Sequence, residues 1–166
     1  VVKRTGLMIL LLAVLGAGGW YFFLRSTDRE KVLGRLSDLA EYVTKAPGEK
    51  GTGLLLKSQL IGRLFADHCE ISVDFHNLSG TYTPEELGAN LVRSRQFVET
   101  IQLSFYDPSV RFPQPDTALL DTTGQVLGKA KNGDRFREVR ELAFTLKKID
   151  GKWRFTACRI REVLRK

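Results

Sequence analysis

The Asp150-Gly151 pair constrains this chain more than any other feature. It lies between two alternating runs, 142–149 and 152–161. A type I′ turn needs positive φ at both of its central residues, and Asp-Gly accepts that conformation readily. The pair predicts a β-hairpin with Ile149 opposite Lys152, Leu146 opposite Phe155, Phe144 opposite Ala157 and Leu142 opposite Arg159. Side chains alternate with period two, so this register predicts one face that is apolar near the turn and ends in Arg159. Such a face reads as the wall of a pocket. The opposite face would hold Ala143, Thr145, Thr156, Cys158 and Ile160, and reads as exposed sheet or as a contact between two copies of the chain.

The other end of the chain is of a different kind. Residues 5–24 run for twenty positions without a charge, preceded by Lys3-Arg4 and closed by Trp20-Tyr21 near the far side. At 1.5 Å per residue a helix of that length spans about 30 Å, the thickness of a bilayer's hydrocarbon core. The reading is a transmembrane signal anchor with a short link over 1–27, and a globular domain over 28–166. The domain is placed on the export side of an inner membrane, the chain crossing once. Cleavage at Gly16–Gly19 is the competing reading, but it would leave an apolar Trp-Tyr-Phe-Phe-Leu start.

The net charge of +7 is diffuse. Three of the 26 basic residues lie in the first 27 positions, and the rest are interleaved with 19 acids. A nucleic-acid partner would require a basic stripe with stacking aromatics, so none is expected. Two cysteines, Cys69 and Cys158, and two histidines stand in no ligand spacing, which predicts no metal site. No cofactor motif is present either.

In order, the pattern predicts a helix from Asp28 to about Ala46, with Val32, Leu33, Leu36, Leu39, Ala40 and Val43 on its apolar side. Gly51-Thr52-Gly53 reads as a loop. A shorter helix follows, stopping near Ala66-Asp67-His68, and then a strand over 69–75. Thr83-Pro84-Glu85-Glu86 combines a capping threonine, a proline at the first helical position and the glutamate of a capping box. The helix it opens carries Leu87, Leu91, Val92, Arg95, Phe97, Val98 and Ile101. Asp107-Pro108 reads as a turn, and Asn132-Gly133 as a second hairpin.

Three segments carry a family resemblance: 64–73 (Leu-Phe-Ala-Asp-His-Cys-Glu-Ile-Ser-Val), 82–87 (Tyr-Thr-Pro-Glu-Glu-Leu) and 144–154 with its Asp-Gly-Lys-Trp. Together they resemble the nuclear-transport-factor-2-like superfamily, which includes ketosteroid-isomerase-like and polyketide-cyclase-like proteins, over about 28–166. The resemblance implies an α+β fold: a curved mixed or antiparallel sheet wrapped around about three helices, the cystatin-like cone, here preceded by the single transmembrane helix. It implies a pocket between sheet and helices, and pairing into a homodimer through the sheet. The fold hosts enzymes and binding modules alike, so it does not by itself imply an activity.

If Asn132-Gly133 is a two-residue turn, Leu119 faces Leu146, Asp121 faces Phe144 and Thr123 faces Leu142. Asp121 and Arg159 then share the inner wall. Arginine suits an anion better than it suits proton abstraction. The main functional reading is a non-catalytic, membrane-anchored binding or interaction module. Its small amphipathic or anionic ligand would meet Arg159, Arg140, Asp121, Tyr42, Phe144 and Phe155. The alternatives are an isomerase-, dehydratase- or hydrolase-like enzyme with Asp121 or His68 as general acid/base, and a structural subunit of a membrane complex.

Overall fold

The computed structural model describes residues 27–49, 51–74 and 78–162. The chain divides into two units, Val1–Lys31 and Val32–Lys166. The first is described only at the opening of a helix, where Lys31 Nζ lies 3.9 Å from Asp28. The expected membrane span at 5–24 lies outside the described residues. Among the described residues no helix is long and apolar enough to cross a membrane.

Three helices and six strands are described. They are α1 (residues 27–43), α2 (Gly51–Gly62), β1 (Phe65–Val73), β2 (Leu78–Tyr82), α3 (Pro84–Arg95), β3 (Val98–Gln114), β4 (Thr117–Ala130), β5 (Arg135–Ile149) and β6 (Lys152–Arg161). The strands form one sheet in the order β2-β1-β6-β5-β4-β3, antiparallel throughout except where β1 runs parallel to β6. This is the expected α+β class, with an unclosed sheet packed on helices.

Local signals placed several elements as read. Asp150 and Gly151 take φ of 49° and 73°, as a type I′ turn demands, and Ile149 faces Lys152. Thr83 caps α3: its hydroxyl accepts from the Glu86 N–H, and the Glu86 carboxylate accepts from the Thr83 N–H at 2.8 Å. Other boundaries moved. α2 begins at Gly51, where a loop was expected, and ends at Gly62, so Ala66, Asp67 and His68 belong to β1. α3 stops at Arg95, with Val98 and Ile101 already in β3. Asp107-Pro108 is no chain reversal but an irregularity inside β3, with Asp107 at φ 50°. The buried Thr122 hydroxyl donates to the Tyr106 carbonyl at 2.8 Å beside it.

Two register shifts decide which side chains face the helices. Asn132-Gly133 closes a three-residue loop: Gly133 N–H donates to Ala130 at 3.0 Å, Ala130 N–H donates to Asp134 at 2.8 Å, and Gly133 takes φ 97°. An odd loop moves each β4 residue by one partner, so Leu120 faces Phe144 and Asp121 faces Ala143. In β6, Thr156 is extra, because Leu146 faces Phe155 but Thr145 faces Ala157. Its hydroxyl donates to the Thr145 carbonyl at 3.2 Å. Beyond this bulge Phe144 faces Cys158 and Ala143 faces Arg159, the inverse of an even register.

The core therefore comprises Ala118, Leu120, Phe144, Leu146, Trp153 and Phe155 from the sheet, against Val32, Leu36 and Leu39 of α1, Ile61 of α2 and Leu91 of α3. Phe155 lies 5.1 Å from Phe144 and 5.4 Å from Phe65, ring centre to ring centre. Each such side chain contributes about 1.5–3 kcal/mol by leaving water, so the core commits the sheet to this register.

Candidate functional site

The site is built on the last turns of α1. Its core residues recur at Val32, Leu36, Leu39 and Val43, which turns Ala40, Glu41, Thr44 and Lys45 to a flanking stripe. This end of the helix is docked on β3: Lys45 and Ile101 exchange backbone hydrogen bonds at 2.7 and 3.2 Å, and the Leu103 N–H donates to Thr44 Oγ1 at 3.2 Å. Between that stripe and the arms of β3 and β4 lies a groove of about 790 Å³. Ala40, Ile101, Leu103 and Leu127 give it an apolar floor, and Glu41, Lys45, Lys57, Lys129 and Arg135 line it with charge. Gly128 also lines it, and a Cβ there would overlap the Phe136 ring, so the bare backbone is what lets the aromatic cross the strand.

A buried arginine holds this end of the helix in place. Arg95, 2% exposed, donates through Nη2 to the carbonyls of Tyr42, Val43 and Thr44 at 2.9, 2.9 and 2.6 Å. These are C-terminal helix carbonyls, which lack intrahelical donors and favour a cation. Arg95 Nη1 donates to Glu49 at 2.9 Å, and Lys57 Nζ donates to Glu49 at 3.1 Å and to the Thr44 carbonyl at 2.8 Å. Burial alone would push the Glu49 carboxyl up; the Lys57 hydrogen bond and the Arg95 charge outweigh it and hold the carboxyl below its ordinary value.

Lys45 is spent differently. Its ammonium donates to the carbonyls of Arg95 at 3.2 Å and Val98 at 2.7 Å and meets no carboxylate among the described residues. With three donors and two committed, one remains for a ligand. Glu41, one turn before it, likewise has no ion pair among the described residues, and no other carboxylate lines the groove. A carboxylate and an anchored ammonium lining one groove, each without an ion pair among the described residues, supply the two groups that proton abstraction needs, a base and a donor for the negative charge that results.

The residues singled out from the sequence lie elsewhere. Asp121 and Arg159 do share a face, but it is the face turned away from the helices, where both line a depression of about 500 Å³. They do not pair with each other: Asp121 accepts from Arg111 at 2.8 Å and Arg159 donates to Asp74 at 2.9 and 3.1 Å, with Asp121 and Arg159 side chains 43% and 57% exposed. Their placement on the inner wall is thus overturned by the odd β4–β5 loop and the Thr156 bulge. The same bulge puts Ala157 and Arg159 with Ala143 and Thr145 on the outer face, and sends Cys158 and Ile160 to the inner one. Phe144 and Phe155 are core residues, not groove lining. Arg140 is half-buried, 2.7 Å from Glu138. Tyr42 packs against the core; burial pushes its phenol up, helped by Asp38 and Glu41 and opposed by Arg35. His68 is exposed on β1, not at a helix end. Among the described residues no cluster of His, Cys, Asp and Glu is fit to hold a metal.

No family model matches the sequence, and no curated protein is similar to it in sequence. Solved structures do match the fold. A Kribbella flavida protein, Kfla4162, superposes with a TM-score of 0.70 at 16% identity, over 86% of this chain and 95% of its own. A hexachlorocyclohexane dehydrochlorinase from Novosphingobium barchaimii gives 0.64 at 17% identity, over 84% and 88%. A scytalone-dehydratase-like protein from Novosphingobium aromaticivorans gives 0.67 at 13% identity, over 86% and 97%. A Nostoc punctiforme protein with a cystatin-like fold also superposes, with a TM-score of 0.60 at 14% identity, so the fold is the cystatin-like one that the resemblance of the Asp-Gly-Lys-Trp hairpin and the capped helix implied.

These likenesses overturn the main functional reading. Dehydrochlorinases and a scytalone-dehydratase-like protein are enzymes, and they share this fold; the expected membrane span lies outside the described residues. The enzyme alternative is the better supported one.

Proposed function

We propose that this chain is an enzyme that abstracts a proton from carbon in a small molecule bound in the α1–β3 groove, leading to elimination or isomerisation. The observation that carries the reading is that Glu41 and Lys45 both line that groove, each without an ionic partner among the described residues. Glu41 takes the proton from the carbon beside a carbonyl. The C–H electron pair moves toward the carbonyl oxygen, where the remaining Lys45 donor meets the developing oxyanion. Those electrons then either expel a β-substituent, as chloride or as water formed with the proton that Glu41 holds, or return to a different carbon with that same proton. No electron donor or acceptor is needed. The fold of a dehydrochlorinase and of a scytalone-dehydratase-like protein supports an elimination chemistry without specifying a substrate.

Proton abstraction can be read without knowing the product. Small β-hydroxy and β-chloro carbonyl compounds incubated with the protein in D2O should exchange the α-hydrogen. Glu41→Gln should slow that exchange roughly 10²–10⁴-fold, the usual contribution of a positioned base. Asp121→Asn, on the far face of the sheet, should leave the rate unchanged. Exchange that survives in Glu41→Gln, or that disappears in Asp121→Asn, would overturn the assignment.

A further inference from the structure

The same groove carries charge beyond what proton transfer uses. Arg135, at the start of β5, lines the wall opposite α1 and is exposed, with no ion pair among the described residues. Beside it Lys129 contributes a second cation, already 2.7 Å from Glu99. Of the five charged side chains lining the groove, four are basic. The floor between Lys45 and this basic edge is built from Ala40, Ile101, Leu103 and Leu127. Arg135 is free to meet an anion at the groove's edge. A compact polar substrate would leave the apolar floor in water.

We infer that the substrate is an amphipathic carboxylate, its apolar body on the Ile101–Leu103–Leu127 floor and its carboxylate on Arg135. A guanidinium presents two parallel N–H donors that match a carboxylate in one plane, whereas an ammonium acts as a point charge. Arg135 is thus the position at which charge and geometry select the ligand, and Lys129 adds a screened attraction. The inference rests on reading the groove as the substrate site, and it adds the class of molecule that the site accepts.

The test is binding, which does not depend on turnover. The full chain is titrated with octanoate and with octanamide, its neutral isostere, while the backbone amides of Ile101, Leu103 and Gly128 are followed by NMR. Octanoate should bind about tenfold more tightly than octanamide, the scale of one charge-assisted contact, and the preference should shrink as salt is raised. Arg135→Gln should abolish the preference while leaving the octanamide affinity in place, and Arg135→Lys should restore part of it. Equal affinities in the native protein, or a preference untouched by Arg135→Gln, would overturn the inference. So would shifts confined to amides outside the groove. The two proposals fail separately. Octanoate preference with exchange that ignores Glu41→Gln removes the catalytic reading alone. Glu41-dependent exchange without octanoate preference removes the substrate class alone.

Discussion

The guanidinium of Arg95 lies 2.9 Å from the Glu49 carboxylate through Nη1 and grips three carbonyls at the end of α1 through Nη2. The pair joins α1, the link that follows it and α3 in one buried node, and the groove is built against that node. Removing the cation would strand both the carbonyls and much of the charge on Glu49. Arg95→Met should therefore cost about 3–5 kcal/mol, the range for breaking a buried pair from one side. Urea unfolding checks it. A loss within the scatter of a surface substitution would show that the node is not what holds α1.

Acid should loosen the same node. The folded-state pKa of Glu49 is depressed, because Lys57 and Arg95 outweigh the burial that would raise it. A depressed carboxylate contributes stability that is fully present above its unfolded value, about 4.3, and lost as pH falls through the folded value. Stability of the native protein should decline on acidification below about pH 5. Glu49→Gln should start less stable at neutral pH and lose less on the way down. Parallel pH profiles for the two proteins would remove Glu49 from the account.

The two cysteines should be poor nucleophiles in the folded protein. Burial pushes the Cys158 thiol up to about 12, with Cys69 adding to it, and the Cys69 thiol up to about 11, with Glu70 adding. The reactive species is the thiolate. Alkylation by iodoacetamide at pH 8 should be slow for both and become fast in urea. Rapid labelling of Cys158 without denaturant would contradict this.

A side chain at Gly128 should force the Phe136 ring to move. A Cβ there would overlap the Phe136 ring from the neighbouring strand. Gly128→Ala should destabilise by about 1–3 kcal/mol, the usual cost of overpacking, and Phe136→Leu should recover part of the loss in the double variant. Thermal unfolding of the two single variants and the pair measures the coupling.

Much of the architecture was legible because it is local. The Asp150-Gly151 turn and the Thr83-to-Glu86 cap depend on residues within a few positions of each other, and both stand as read. The site was not legible for the opposite reason. Register parity propagates along a strand, so one odd loop at 131–133 and one extra residue at Thr156 carried Asp121 and Arg159 from the expected inner wall to the outer face. Arg95 left a trace: it follows Leu87 and Leu91 at helical spacing, on the stripe that faces the core. Nothing in the sequence names its partner, since Glu49 lies in the link after α1 and the carbonyls it grips belong to every sequence.

The sequence by itself determined the elements, the hairpins and the class of fold, because turn geometry and amphipathic period are set by neighbouring residues. The tertiary structure alone decided which charges are spent and which are left. Glu49 answers Arg95 and Lys57, Asp121 answers Arg111, and Asp74 answers Arg159, while Glu41, Lys45 and Arg135 line one groove without an ion pair among the described residues. Ion pairing depends on distances across strands and helices remote in sequence, and those exist only once the sheet has taken its register.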